Sequence, residues 1–186
     1  MKKHRVFVAI LLPEAMCKKI MEWQEEHAAL RVRWKKSERL HITIVMPWYA
    51  DKHEIRAAKQ ALASVAETSA PFSIEIQNIR WGPPNAKATP RLIWADGKTP
   101  KGFKRLKTRA QKALRADSGT GFHSHDKFPM IAHVTVANFK PRPREALPSL
   151  NERVCWRFEV RQFQLIESIQ RRGGTAYRTI ASFDFS

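Results

Sequence analysis

His41-Ile42-Thr43-Ile44 and His133-Val134-Thr135-Val136 repeat one pattern (His, apolar, Thr, apolar) at positions 92 apart in a chain of 186 residues. In a strand, alternate side chains point to opposite faces, so each His shares a face with its Thr while the aliphatic pair faces a core. By chance, roughly 0.06 such matches are expected in a chain of this composition. The chemistry this pair suits is in-line displacement at phosphorus. The attacking and leaving oxygens there lie on opposite sides, one needing a base and the other an acid. Imidazole serves both roles, because its unperturbed pKa of about 6.5 allows one neutral and one protonated ring near neutral pH. A Thr hydroxyl about 7 Å along the same face can donate to a phosphoryl oxygen. His41 and His133 are therefore the candidate acid–base pair, with the order of roles open, and Thr43 and Thr135 are the candidate phosphate clamps.

Elements that could position these residues follow from the apolar periodicity. Val6 to Leu12 predicts a buried first strand, and a helix follows from Pro13 with Ile20, Trp23 and Leu30 on its apolar stripe. Arg31 to Lys36 alternates as a short strand. The first motif lies on a strand over Leu40 to Trp48, ended by Pro47. Asp51 should cap a helix running to about Glu67. Phe72 to Trp81 alternates as a half-buried strand, Gly82-Pro83-Pro84-Asn85 is a loop, and Arg91 to Ala95 is another strand. Lys101 to Arg115 is a basic helix, and the polar loop Asp117 to Lys127 leads to the second motif strand, Ile131 to Phe139. Two last strands, Arg157 to Ile166 and Ala176 to Phe185, flank a turn at Arg171-Arg172-Gly173-Gly174. Strand–helix–strand blocks in each half predict an α+β fold, with two antiparallel-rich sheets facing across a central cleft and helices packed outside. The motif spacing fits a duplicated half-domain, so residues 1–186 should form one domain of two pseudo-symmetric lobes.

Composition limits the partners. The 34 Lys and Arg against 17 Asp and Glu leave a formal charge of +17. That much like charge repels itself, and a polyanion relieves it, with nucleic acid ahead of an anionic membrane surface. No stretch approaches the ~20 apolar residues that span a bilayer. Cys17 and Cys155 set no disulfide framework. Met1 to Leu12 lacks a cleavage site, and a cytoplasmic protein is the expectation.

With these residues in place, the chain resembles the 2H phosphoesterase superfamily, in particular the RNA 2′,3′-cyclic phosphodiesterases historically called 2′-5′ RNA ligases. Arg5 to Ile10 is similar to that family's opening strand, and Val32-Arg33-Trp34 followed by Leu40 to Ile44 matches the approach to its first motif. Arg91 to Trp94, and Leu165 to Ser168 with the late Tyr177, match further segments. The resemblance implies hydrolysis of 2′,3′-cyclic phosphate ends of RNA or nucleotides to a 2′-phosphate, without metal or other cofactor, with weak reverse 2′-5′ ligation in some members. It implies His41 and His133 as the acid–base pair and Thr43 and Thr135 as phosphate clamps. Four departures stand out. Met46-Pro47-Trp48 replaces the usual Phe-Leu-Gly, and Met130 stands where a Phe is common, with Phe128 two residues back. Around the second motif, Ala132 replaces Pro and Asn138 replaces an Arg.

Other residues have a weaker claim. Trp48 and Tyr49, just past the first motif, could stack on a base. Lys140 could substitute for the missing Arg if its strand stays regular that far. The basic helix could track an RNA backbone. His123-Ser124-His125-Asp126 has metal-ligand spacing but no third ligand at a convincing distance, so no metal is expected. The expected partner is RNA or a nucleotide bearing a 2′,3′-cyclic phosphate, met by a monomer with no membrane attachment. Two rival readings remain: a 2H enzyme acting on another phosphodiester, such as an oligonucleotide 3′ end or a cyclic ADP-ribose phosphate, and a basic RNA-binding module without turnover.

Overall fold

The alternation around both motifs folds as expected. Ile42, Ile44, Val134 and Val136 are buried, whereas His41, Thr43, His133 and Thr135 keep partial exposure on the other face. The computed structural model describes residues 2–83, 89–123, 130–172 and 174–186. Its strands are β1 (His4–Leu11), β2 (Arg33–Trp34), β3 (His41–Ala50), β4 (Phe72–Gly82), β5 (Leu92–Asp96), β6 (His133–Asn138), β7 (Asn151–Val160), β8 (Gln162–Arg171) and β9 (Gly174–Asp184). Helices α1 (Glu14–Glu26), α2 (Lys52–Ala66) and α3 (Lys101–Ala116) complete an α+β fold. The strand order is β7-β4-β5-β6-β3-β1-β8-β9, with β2 pairing β6, and every pairing is antiparallel.

The two sheets expected from the sequence are thus one hydrogen-bonded network of two halves. They meet at a single residue pair, Ile42 opposite Val134, where the two motif strands touch. Beyond it β3 leaves β6, and β2 pairs with the later part of that strand, Arg33 opposite Asn138 and Trp34 opposite Ala137. The short strand expected over Arg31 to Lys36 is this two-residue β2.

Three boundaries differ from the sequence reading. Pro47 does not end the first motif strand. The β1–β3 register slips between Val6 opposite Trp48 and Val8 opposite Val45, and a residue without an N–H is accommodated in such a bulge. The strand expected over Arg157 to Ile166 is two strands. β7 pairs with β4 and β8 with β1, and Arg161 alone links them. No Gly, Pro or Asn marks this break. One residue therefore joins strands far apart in the sheet order, so the two halves meet again at this corner, where Phe72 stacks on Phe185. Finally, β6 does not stay regular, because Val136 and Ala137 are both buried and the β5–β6 register slips opposite them.

Helix α2 starts where Asp51 caps it. The Asp51 carboxylate accepts from the backbone N–H groups of His53 and Glu54, and the Glu54 carboxylate accepts from Asp51 N–H at 2.6 Å. This reciprocal capping box satisfies donors that the first turn leaves without helical partners. One apolar core joins all three helices to the sheet. Buried Gln24 of α1 donates to the carbonyls of Lys35 at 3.0 Å and Val136 at 3.2 Å, tying that helix to the β2–β6 pair.

Candidate active site

The Ile42–Val134 pair generates the site. In an antiparallel ladder, the residue before one partner lies beside the residue after the other. His41 therefore neighbours Thr135, and His133 neighbours Thr43, all on the face opposite the buried aliphatic residues. Two His and two Thr form a quartet with a local two-fold axis through the pair. Neither Thr hydroxyl has a protein partner among the described residues.

Each imidazole is fixed in the same way. Nδ1 of His41 bonds the carbonyl of Arg39 at 2.8 Å, and Nδ1 of His133 bonds the carbonyl of Ile131 at 3.0 Å. A carbonyl only accepts, so both Nδ1 atoms carry a proton, and in each neutral ring Nε2 presents a lone pair. Aromatic rings hold the imidazoles in place. His41 lies 5.1 Å from Phe7 and 5.3 Å from Tyr177, while His133 stacks on Trp94 at 3.7 Å with an interplanar angle of 18°.

The surroundings of the two rings differ in charge. Burial lowers the His41 pKa to about 4, and the positive charges of Lys35 and His133 push in the same direction. The bond to Arg39 opposes them. Burial also lowers the His133 pKa, opposed by the Ile131 bond and by the negative charge of Asp96, with Lys107 adding to the lowering. Asp96 stands opposite His133 in the β5–β6 register and is 1% exposed. Its Oδ2 accepts from Arg80 Nη2 at 2.8 Å and Nε at 3.1 Å, and its Oδ1 has no partner among the described residues.

The other expected site residues lie elsewhere. Trp48 is a core residue, not a stacking platform: it is buried, donates its indole N–H to the carbonyl of Thr120 at 3.2 Å and packs edge-on against Phe122. Tyr49 is 64% exposed but eight residues along β3 from His41, about 27 Å at strand rise. Lys140 is exposed and lies past the end of β6, beyond the slip that breaks the alternation on which its placement depended. Ser124, His125, Asp126 and Phe128 lie outside the described residues, and among the described residues no group of His, Cys, Asp and Glu side chains could hold a metal ion. Sequence reasoning missed Arg80 and Asp96, whereas Phe7 stood in the segment Arg5 to Ile10 that resembles the family's opening strand. Trp94 and Tyr177 did stand in the segments that carry the family resemblance.

Comparison with known proteins adds the lineage. The model of the 2′-5′ RNA ligase superfamily matches residues 12–172. A protein of Geobacillus stearothermophilus named RNA 2′,3′-cyclic phosphodiesterase is 26% identical over 192 residues. The alignment covers 98% of this chain but 58% of that relative, so the chain spans less than two thirds of its length. The crystal structure of TT0787 from Thermus thermophilus superposes with a TM-score of 0.82 at 22% identity, covering 97% of each chain. E. coli LigT complexed with 3′-AMP superposes at 0.81 with 19% identity, covering 100% of this chain and 99% of the other. At these identities the two structures establish the shared fold.

Proposed function

The chain belongs to the 2′-5′ RNA ligase superfamily, and we propose that it hydrolyses 2′,3′-cyclic phosphate ends of RNA or nucleotides to a 2′-phosphate. The observation that carries this reading is the Ile42–Val134 register. It sets one imidazole and one hydroxyl on each side of the space a phosphate would fill. Water attacks phosphorus while one Nε2 takes its proton. The P–O3′ bond breaks, and the opposite imidazolium gives its proton to the departing 3′ oxygen. Thr43 and Thr135 donate to the non-bridging oxygens, where charge builds in the transition state. Both proton transfers are thus supplied by side chains of the chain itself, and the reaction is expected to proceed without metal.

The charges around the rings support an assignment of roles. His41 has Lys35 as a neighbour, which disfavours its imidazolium, and we assign it the base. His133 has Asp96, which favours its imidazolium, and we assign it the acid. RNA is the natural partner of a chain with a formal charge of +17. The geometry allows weak 2′-5′ ligation by the same groups in reverse.

The test is hydrolysis of a short RNA ending in a 2′,3′-cyclic phosphate, in EDTA, by wild type, His41→Ala and His133→Ala. Ring opening by wild type and a loss of about 10²-fold or more in each variant are expected. A strict dependence on added divalent cation would contradict the mechanism. Asn138, in place of the Arg common in the family, favours one second reading, a 2H enzyme of different substrate such as an oligonucleotide 3′ end or a cyclic ADP-ribose phosphate. A substrate panel separates the two. RNA binding without turnover, unchanged when both His are replaced, would instead identify a binding module.

A further inference from the structure

Lys35 directly follows β2, and its backbone is pinned on both sides. Its N–H donates to the carbonyl of Val136 at 2.9 Å, and its own carbonyl accepts from Gln24 at 3.0 Å. Trp34, immediately before it, packs into the core and meets Trp23 edge-on. Strand alternation then turns Lys35 to the opposite face, the face of the His and Thr quartet. Val136, beside which Lys35 sits, directly follows Thr135, and His41 flanks that same Thr. The position therefore borders the space between the two motifs.

The charge environment of Lys35 is unusual. Its side chain is half-buried, and no carboxylate pairs with it among the described residues. The charges that act on it are those of Arg33 and Arg39, which together with burial push its pKa down. An ammonium removed from water beside two guanidiniums is unfavourable until an anion joins it.

We propose that Lys35 is a phosphate-binding residue, supplying positive charge at the reacting phosphate. The inference rests on the reaction proposed above for the identity of the ester, but its phosphate site is testable without turnover. The anion would sit among Lys35, Thr135 and His41, with Arg33 and Arg39 reinforcing the field. Lys140, past the end of β6, is not needed for this role.

The experiment compares wild type with Lys35→Met, Lys35→Arg and Lys19→Ala, the last an exposed cation of α1 that controls for net charge. Inorganic phosphate and adenosine 2′,3′-cyclic phosphate serve as probes, the first by calorimetry and the second by turnover. Histidine side-chain titration by NMR provides an independent readout. Loss of one charge-assisted contact should weaken phosphate binding about tenfold or more in Lys35→Met, with Lys35→Arg restoring most of it. The same Met variant should move the His41 midpoint upward, since a neighbouring positive charge is gone, a change that a merely structural role would not produce. Lys19→Ala should stay within about twofold of wild type on both readouts. Phosphate binding by Lys35→Met within about twofold of wild type, or no phosphate binding by wild type, would overturn the proposal. If wild type binds phosphate through Lys35 yet opens no cyclic phosphate, the proposed reaction fails and the phosphate site stands.

Discussion

Two imidazoles held in the same way differ in their surroundings through the residues one ladder step away. The Nδ1 bonds to Arg39 and Ile131 fix both rings alike, so in the proposed mechanism the division of labour comes from neighbouring charge. On the His133 side that neighbour is Asp96, whose second oxygen has no partner among the described residues. Replacing it by Asn removes a charge that favours the imidazolium. The limb of the pH–rate profile belonging to the acid should therefore move to lower pH in Asp96→Asn, and an unmoved limb would reject the assignment of His133. Stability should respond to pH through His41. Its folded-state pKa of about 4 lies below the 6.5 of the free side chain. Above 6.5 neither state binds the proton, and the stability linked to this ring is fully present. Between 6.5 and 4 the unfolded chain binds more protons, so stability falls as pH falls. The interval is worth about 3 kcal/mol at most. In urea unfolding, His41→Gln should lose less stability than wild type over this window, and parallel curves would contradict the assignment.

At the scale of elements, the quartet depends on how neighbouring strands make room for its supports. Trp94, the platform under His133, lies against Gly82 of β4. A Cβ on that glycine would stand 2.7–2.9 Å from three atoms of the indole. Gly82→Ala should therefore displace the ring, destabilise the fold by about 1–3 kcal/mol and lower kcat. A variant with full kcat would show that the stack is dispensable. The β2 strand has a similar support in Gln24. Gln24→Leu leaves the Lys35 carbonyl without that donor, at a cost of about 1–3 kcal/mol. The Lys35 amide should then exchange its proton faster, and unchanged protection would place the anchor elsewhere. These dependences also mark what a sequence can display. The motif strands were legible because alternation of Ile and Val with His and Thr is a local signal. The β7–β8 break was not, because Arg161 joins two strands without any turn residue. Trp48 followed a motif in sequence but faces the core, on the same side as Ile42 and Ile44, as simple alternation along the strand would place it. Arg80, Asp96 and Lys35 reach the quartet through cross-strand register, which no single segment records.

Across the whole molecule, the excess charge is spread well beyond the quartet. Helix α3 holds Lys101, Lys104, Arg105 and Lys112 on exposed positions and no acidic residue in its span. Some carboxylates are already engaged, as in Arg80–Asp96, Arg178–Glu167 and Lys3–Glu54, so the surplus acts as a general positive field. Such a field draws in a polyanion and releases its counterions, which makes the affinity fall with salt in proportion to the number of phosphates met. A cyclic mononucleotide offers one phosphate, whereas an RNA of several nucleotides offers one more for each surface cation it can reach. For a single-stranded ligand the log–log slope steepens by about 0.7 for each added contact. The KM for a cyclic-phosphate-ended oligonucleotide should therefore rise with salt distinctly more steeply than the KM for the mononucleotide, while kcat for the two responds alike. A difference of about 1.4 in slope would correspond to two phosphate contacts outside the quartet. Parallel slopes would mean that RNA is held only at its terminal phosphate, and that the remaining charge serves neither affinity nor the choice of substrate length.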